Sequence, residues 1–115
     1  MSGAQIASEV AAALREAGEP VSVTPSQIGG TPWEAPTPAP SPITVFARVD
    51  VFRVNEIDGA RVLSGDKKIL IEVFVPAPKP GDAITVRGVG HRIEGVREEN
   101  FQGTPVMYEC QAREV

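Results

Sequence analysis

Apolar and polar residues alternate along most of the second half of the chain, which is the pattern of β-strands with one buried face. The alternation covers residues 43–51, 68–74, 83–87, 91–97 and 106–112. Gly-Asp and Pro-Gly-Asp sequences separate these segments and act as turn signals. Gly95 interrupts the alternation between Ile93 and Val96, which is typical of a β-bulge. About five to six short strands at this spacing predict a mainly β fold, a small antiparallel β-barrel.

The inward face of the predicted barrel follows from the apolar member of each alternating pair. Residues 43, 45, 47, 49 and 51 share one face of their strand, and Ile69, Ile71 and Val73 share one face of the next. We expect the stability of the core to depend on four side chains in particular, namely Ile71, Val86, Ile93 and Tyr108. A hairpin is expected between residues 83–87 and 91–97, around Gly88-Val89-Gly90.

A different period occurs near the N-terminus, where residues 2–17 predict one amphipathic helix. Ser2 and Gln5 have the spacing of a capping box. The apolar stripe of this helix consists of Ile6, Val10, Ala13, Leu14 and Ala17. Gly18 and Pro20 end the helix. The stripe packs either on the helix's own domain or on a neighbouring subunit, because an isolated helix of this length is marginal in water.

Residues 25–42 form a long proline-rich insertion. It follows residues 21–24, whose alternation indicates a short strand. Prolines at every second position from 36 to 42 exclude a helix and a central strand, and they favour an extended chain. The sequence offers two interpretations, a tether with Trp33 folded back on the barrel or an arm anchored on a partner by Trp33. The residues proposed for interaction or gating are Gly29, Gly30, Trp33, Pro36, Pro38 and Pro40.

Length and composition indicate one domain over residues 1–115, with the barrel core at residues 43–113. The net charge of −4 gives no general attraction to phosphate backbones. Lys67, Lys68, Arg87, Arg92 and Arg97 are interpreted as solvated strand positions rather than a basic patch. The longest apolar run of the helix, residues 10–14, is too short for a transmembrane helix, so we expect no membrane association.

The residues that usually carry chemistry are sparse. His91 and Cys110 are the single histidine and the single cysteine, and one of each cannot build a structural zinc site. A Cys–His nucleophile pair is disfavoured because Cys110 alternates inward like a small core residue. Gly88 and Gly90 lie between strands, and position 93 is Ile, so a dinucleotide loop is not indicated. We therefore expect no enzymatic activity, no metal and no cofactor.

The order of turns and strands resembles a family of phage proteins. The matching features are Asp58-Gly59, Gly65-Asp66-Lys67-Lys68 before an apolar strand, Pro80-Gly81-Asp82 followed by Ile84, Val86 and Gly88, then Ile93 and Val96, Gly103, and the final Tyr108-Glu109, Gln111 and Arg113. This pattern is similar to that of the head-completion or stopper proteins in the head–tail connector (neck) of siphophages and gene-transfer particles. The chain departs from the family at His91-Arg92, where an aromatic residue is expected.

The resemblance implies a fold and a role in the virion. The fold is a small β-barrel with a long loop inserted between early strands. The role is a homo-oligomeric ring, hexameric or alternatively dodecameric, between a portal or adaptor protein above and a tail terminator or tail tube below. Such a ring closes the DNA exit channel after packaging and docks the tail, and double-stranded DNA passes through it without sequence-specific binding. The implied location is the virion neck, with assembly in the host cytoplasm.

Two alternatives to a stopper remain open at this point. One is another neck or tail-end ring protein, either an adaptor or a tail terminator. The other is a cellular β-barrel binding module, which would use surface aromatic residues and basic grooves. Aromatic residues make up 5% of the chain and mostly fall within apolar strand patterns, which argues against the binding module.

Overall fold

A computed structural model describes residues 2–26, 41–52, 54–57, 59, 61–63 and 65–115. One helix, α1, spans Gly3–Ala17, and a short 3-10 turn spans Val54–Glu56. The six strands are β1 (Glu19–Thr24), β2 (Ile43–Val51), β3 (Lys67–Ile71), β4 (Ala83–Val86), β5 (Val89–Phe101) and β6 (Thr104–Glu114).

The six strands form a closed antiparallel barrel in the order β1-β2-β3-β6-β5-β4. The predicted fold class, a mainly β protein with a small antiparallel barrel and an N-terminal helix, is therefore confirmed. Closure occurs between β1 and β4, where Val23 pairs with Ile84. A closed sheet leaves no free edge where every strand has two neighbours, which removes the usual route to strand-mediated aggregation.

The barrel interior is filled by alternating side chains from all six strands. The core cluster consists of Val21, Val23, Val45, Ala47, Ile69, Ile71, Ile84, Val86, Ile93, Tyr108, Cys110 and Ala112. The four predicted core residues, Ile71, Val86, Ile93 and Tyr108, all belong to it. Phe74 packs edge-on against Tyr108, with 6.2 Å between ring centroids. Aromatic pairs prefer this arrangement because the positive edge of one ring meets the negative face of the other.

The barrel includes residues that precede the predicted barrel core at residues 43–113. Residues 19–24 form β1, which pairs with both β2 and β4, so the barrel begins before the proline-rich insertion rather than after it. The predicted inward orientation is also wrong for Val51 and Val73. Val51 is 69% exposed and Val73 is 36% exposed. The first is the last residue of β2, and the second lies beyond the end of β3.

The helix packs on its own barrel, mainly against β6 and β2. Ser2 and Gln5 form the predicted capping box, with Gln5 N donating to Ser2 Oγ and Ser2 N donating to Gln5 Oε1. Leu14 is buried, but Ala13 and Ala17 of the predicted stripe are exposed. The contact face is rotated toward Gly3, whose missing side chain allows the helix to approach Thr104 at the start of β6.

The last two strands form a long hairpin that continues past the rest of the barrel. A register shift between Ile93 and Gly95 confirms the predicted bulge. The preceding hairpin turns at Arg87-Gly88 rather than around Gly88-Val89-Gly90, so Val89 and Gly90 belong to β5. Both turn residues have positive φ, 50° and 80°. That is the geometry of the two-residue hairpin turn that matches the twist of paired strands.

Candidate functional site

The proline-rich segment, residues 25–42, leaves and rejoins the barrel on two adjacent strands. Val23 near the end of β1 pairs with Ile43 at the start of β2. On its other side, Thr24 pairs with Ala83 of β4. The segment therefore starts and ends at one end of the barrel, and its base is fixed by strand pairing. The predicted interaction residues Gly29, Gly30, Trp33, Pro36, Pro38 and Pro40 lie outside the described part of the chain, as does Asp58 of the Asp58-Gly59 turn.

A buried aspartate anchors the first described residues of this segment. Asp82 is 1% exposed, and its Oδ1 accepts a hydrogen bond of 2.8 Å from the N–H of Ser26. The same oxygen lies 3.0 Å from Nζ of Lys79, and Oδ2 accepts the N–H of Lys79 at 3.0 Å. The carboxylate thus joins the end of β1 to the turn before β4.

Burial and hydrogen bonding have opposite effects on the ionisation of this carboxylate. Burial alone would raise the pKa of Asp82, because it disfavours the charged form. The hydrogen bonds from Ser26 and Lys79 outweigh burial and lower the pKa below its usual value. Asp82 is therefore ionised at neutral pH and holds the base of the proline-rich segment as a charged acceptor.

A second turn, before β3, has the same local geometry. In the Gly65–Asp66 turn, Asp66 N donates to Leu63 O and Leu63 N donates to Asp66 Oδ2, at 3.1 and 3.0 Å. The Gly81–Asp82 turn repeats both bonds with Lys79, and both glycines have φ near the left-handed region at 93° and 95°. Each turn is thus closed by its own aspartate, which leaves part of the carboxylate free to bind a distant strand.

The distant partners of Asp66 lie on β6. Arg113 donates from Nε to Oδ1 and from a terminal nitrogen to Oδ2, both at 3.0 Å, and Gln111 Nε2 donates at 2.8 Å. Gln111 also donates to the carbonyl of Arg61. The hydrogen bonds from Arg113, which exceed the opposing effect of burial, lower the pKa of Asp66 to about 2. This network ties the β2–β3 connection to the last strand.

Sequence reasoning identified both Gly-Asp pairs as turns, and this is confirmed, but it missed the long-range role of their carboxylates. The available signal was the repeated spacing, Leu63 to Asp66 and Lys79 to Asp82, each with glycine at the third position and a strand immediately after. Neither Ser26 nor Arg113 could be assigned as a partner, because both contacts depend on the barrel closing.

The hairpin of β5 and β6 provides an exposed strand edge next to this base. β5 pairs with β4 up to Arg92, and Ile93 N then donates to Asp82 O at 2.9 Å. Pairing of β5 with β6 continues to Phe101. Within the described residues, residues 95–101 of β5 therefore have a strand partner on one side only. The edge begins directly beside Asp82.

An open groove of about 550 Å³ lies on the barrel wall at the other end of β2. Its lining residues are Asp50, Val51, Phe52, Asn55, Glu56 and Lys68. Lys68 lies over the Phe52 ring at 5.1 Å and forms an ion pair of 2.8 Å with Glu56. The cation of the groove is thus already neutralised by a carboxylate.

Arg87 in the turn between β4 and β5, and Arg92 and Arg97 of β5, are each paired with carboxylates. Arg87 pairs with Glu19, and Arg92 pairs with Glu94. Arg97 lies 3.0 Å from Glu99 and 3.8 Å from Glu109. Neighbouring carboxylates therefore offset these three charges, which weakens the attraction of this part of the surface to a phosphate backbone.

His91 and Cys110 are both buried inside the barrel but do not form a pair by register. His91 lies opposite Glu114 of β6, whereas Cys110 lies opposite Val96. Four residues of β6 separate these positions, about 13 Å along the strand. His91 Nδ1 lies 3.0 Å from the carbonyl of Val89. Burial raises the pKa of the Cys110 thiol to about 12, so this thiol is protonated at neutral pH.

Across the described ranges, no group of three or more His, Cys, Asp or Glu side chains is arranged to hold a metal ion. No described helix combines the length and apolar character needed to cross a membrane.

Compared with known proteins, the chain matches no protein family, no curated protein and no solved structure.

Proposed function

We propose that this protein is a structural subunit of the neck of a tailed phage or gene-transfer particle. In this role it forms a ring between the portal or adaptor and the tail, closes the DNA exit channel after packaging and presents a surface on which the tail docks. The observation that carries the proposal is the base of the proline-rich segment. Strand pairing and the buried Asp82 fix both ends of a long insertion to one end of a closed barrel.

A ring subunit needs a rigid body from which an extended arm can reach its neighbours. The closed barrel supplies such a body, because each of its strands is bonded to two others along its paired length. The alternating prolines of residues 36–42 supply a stiff arm, since each restricts its own backbone and that of the residue before it. Trp33 near the middle of the segment is the proposed anchor on the partner.

The charge of the chain also favours passage of DNA over binding. The net charge is −4, and Arg87 and Arg92 are paired with carboxylates. A channel lined by such subunits lets double-stranded DNA slide, because a tight hold would require phosphate-neutralising cations. The proposed ring has six subunits, with twelve as the alternative, and it contacts the portal or adaptor on one side and the tail terminator or tail tube on the other.

The test is to delete residues 30–41 in the particle that encodes this protein. We expect the variant to be soluble and folded, because shortening a surface loop has a small entropic effect. We also expect particles that lose DNA or fail to attach tails, scored by electron microscopy and by nuclease-resistant genome content. The matched control replaces residues 30–41 with a Gly-Ser linker of equal length, which keeps the spacing but removes Trp33 and the prolines. Normal genome retention and tail attachment by both variants would refute the proposed role of the segment.

A further inference from the structure

We propose that the outer wall of the barrel binds an uncharged oligosaccharide in two adjoining grooves that share Phe52. This site does not depend on the neck role, because it lies at the opposite end of β2 from the base of the proline-rich segment. The groove of about 550 Å³ beside Lys68 and a second groove of about 220 Å³ together form the wall cleft. The second groove is lined by Phe52, Gly95, Val96, Arg97, Glu109 and Gln111.

The floor of the wall cleft is one row of residues across four neighbouring strands. Asp50 of β2 lies opposite Lys68 of β3, which in turn lies opposite Gln111 of β6. Gln111 lies opposite Gly95 of β5. Directly opposed residues of an antiparallel pair share one face of the sheet. Because Ile69, next to Lys68, is buried in the core, this row lies on the outer face. Three inter-strand steps make the row about 14 Å long, so the cleft suits an elongated ligand.

Phe52 supplies a flat apolar surface that both grooves share. It follows β2 directly, is partly buried and lines each groove. Nζ of Lys68 lies 5.1 Å from the centre of its ring. The face of an aromatic ring is electron-rich and attracts groups with partial positive charge, which include the C–H groups of a sugar ring as well as an ammonium. Phe52 can therefore stack against a sugar ring.

Gly95 keeps the β5 side of the wall cleft open. It lies at the β-bulge, and its φ is outside the left-handed region. Apart from its chain neighbours, only Oε1 of Gln111 among the described atoms would lie within 4 Å of a Cβ at this position, at 3.7 Å. The fold would thus accommodate a side chain at position 95, but that side chain would occupy the groove beside Phe52. Its absence leaves this space for a ligand.

The polar groups of the wall cleft suit hydroxyl groups better than phosphates. Lys68 lies 2.8 Å from Glu56 and 3.9 Å from Glu109, and Arg97 lies 3.8 Å from Glu109. Carboxylates therefore offset both cations, which weakens the attraction to phosphate or sulfate groups. A hydroxyl group donates and accepts hydrogen bonds, so it can bond carboxylate oxygens and N–H donors alike. The exposed amide of Asn55 adds one more donor and acceptor.

The carboxylates are likewise compensated, which disfavours a basic peptide as the ligand. Glu56 and Glu109 are paired with Lys68. Asp50 faces Lys68 across the strand pair, and its Oδ1 accepts the N–H of Val51 at 2.8 Å. A cationic side chain would have to compete with these partners, whereas an uncharged ligand binds without breaking an ion pair.

The experiment is a titration of the isotope-labelled full-length protein, followed by the NMR shifts of its amides. The probes are chitotetraose and maltotetraose, which are uncharged, a heparin tetrasaccharide, which is anionic, and tetralysine, which is cationic. We expect at least one uncharged probe to shift the amides of Asn55, Gly95 and Gln111 in a saturable way and to bind more tightly than either charged probe. Saturable shifts with neither uncharged probe would overturn the proposal. Tighter binding of the heparin tetrasaccharide or of tetralysine would overturn it as well.

Variants locate the ligand within the wall cleft. Phe52→Ala removes the ring and Gly95→Val fills the space beside it, and each is expected to weaken binding at least about fivefold, the lower end for loss of a stacking contact. Phe52→Tyr keeps the ring and should bind within about twofold of the unchanged protein. Gly90→Val is the control, because Gly90 is an exposed glycine of the same strand outside the cleft.

Melting temperatures establish that each variant is folded, and Gly95→Val provides the test if Phe52→Ala does not fold. Binding by a folded Phe52→Ala or Gly95→Val variant that is as tight as that of the unchanged protein would overturn the site. Neither result bears on the neck role, which fails instead if particles with residues 30–41 deleted or replaced join tails and retain DNA normally.

Discussion

At the scale of single residues, Asp66 and Asp82 occupy equivalent positions in two turns, and each carboxylate joins its turn to a strand far away in sequence. Both side chains are nearly inaccessible to water. A buried carboxylate is costly unless hydrogen bonds and opposite charge compensate for lost hydration. Each of these has several donors, so removing the acceptor leaves buried donors unsatisfied.

Replacing Asp82 with Ala is expected to destabilise the barrel by about 1–3 kcal/mol, because the N–H groups of Ser26 and Lys79 lose their acceptor. Urea unfolding monitored by circular dichroism measures the change. The control is Asp50→Ala, since Asp50 is exposed and its carboxylate bonds the adjacent N–H of Val51. Equal free energies of unfolding for the two variants would show that Asp82 does not anchor the segment.

Asp66 is expected to make stability depend on pH in the acid range. Its pKa is about 2 in the folded protein, against 3.8 for an unperturbed carboxyl. Because the folded pKa is the lower one, the stabilisation is complete above pH 4 and is lost as pH falls toward 2. The corresponding loss is about 2 kcal/mol. Asp82 titrates in the same direction, so the measurement is the difference between the unchanged protein and Asp66→Asn at each pH. A difference that stays constant from pH 5 to 2 would contradict the assignment.

At the scale of elements, the six strands owe their positions to apolar side chains that face a common interior. Ile71→Ala and Ile93→Ala are each expected to cost roughly 1–4 kcal/mol in the free energy of unfolding, as for other buried large-to-small changes. Val86→Ala falls in the same range. The matched control is Val75→Ala, because Val75 is 88% exposed. Thermal or urea unfolding of the four variants provides the comparison. Unchanged stability of all three buried variants would show that the inner face is assigned wrongly.

The helix is held close to the barrel by a second glycine, Gly18. A Cβ there would collide with the backbone oxygens of Leu14 and Ala47, which cannot move as a flexible side chain can. We expect Gly18→Ala to displace the end of α1 and lower the melting temperature. Gly90→Ala is the control, since its Cβ would lie 3.5 Å from a methyl of Val115 in ordinary contact. Equal melting temperatures would show that the helix tolerates a shift.

The elements also show what the sequence could reveal. Strand β2 has the predicted bounds. Pro42 marks its start, and the alternation of apolar and polar residues covers its length. Strand β3 ends at Ile71 although alternation continues to Phe74, since the chain must leave the sheet to cross toward β4. The helix face was misjudged at Ala13 and Ala17, because small apolar residues fit both a buried and an exposed position. The Asp82 anchor depends on which strand lies beside the turn, and local sequence carries no information about that.

At the scale of the whole molecule, the two ends of the closed barrel differ. One end carries the base of the proline-rich segment and the start of the free β5 edge, which meet at the Asp82–Ile93 backbone bond. The base of the segment and the free β5 edge are therefore neighbours at the same end of the barrel.

The pairing of Val23 with Ile43 has a further consequence for how this chain can change. Residues 27–40 are flanked by two strands that are hydrogen-bonded to each other, so the barrel should tolerate foreign peptides inserted in their place. We expect a Gly-Ser replacement of residues 27–40 to keep the melting temperature within about 4 °C, which corresponds to less than about 1 kcal/mol for a domain of this size. Differential scanning calorimetry measures it, and a much larger drop would make the insertion part of the folding unit. If the stability of the barrel does not depend on the inserted sequence, that sequence can diverge to bind new partners while the barrel keeps its architecture.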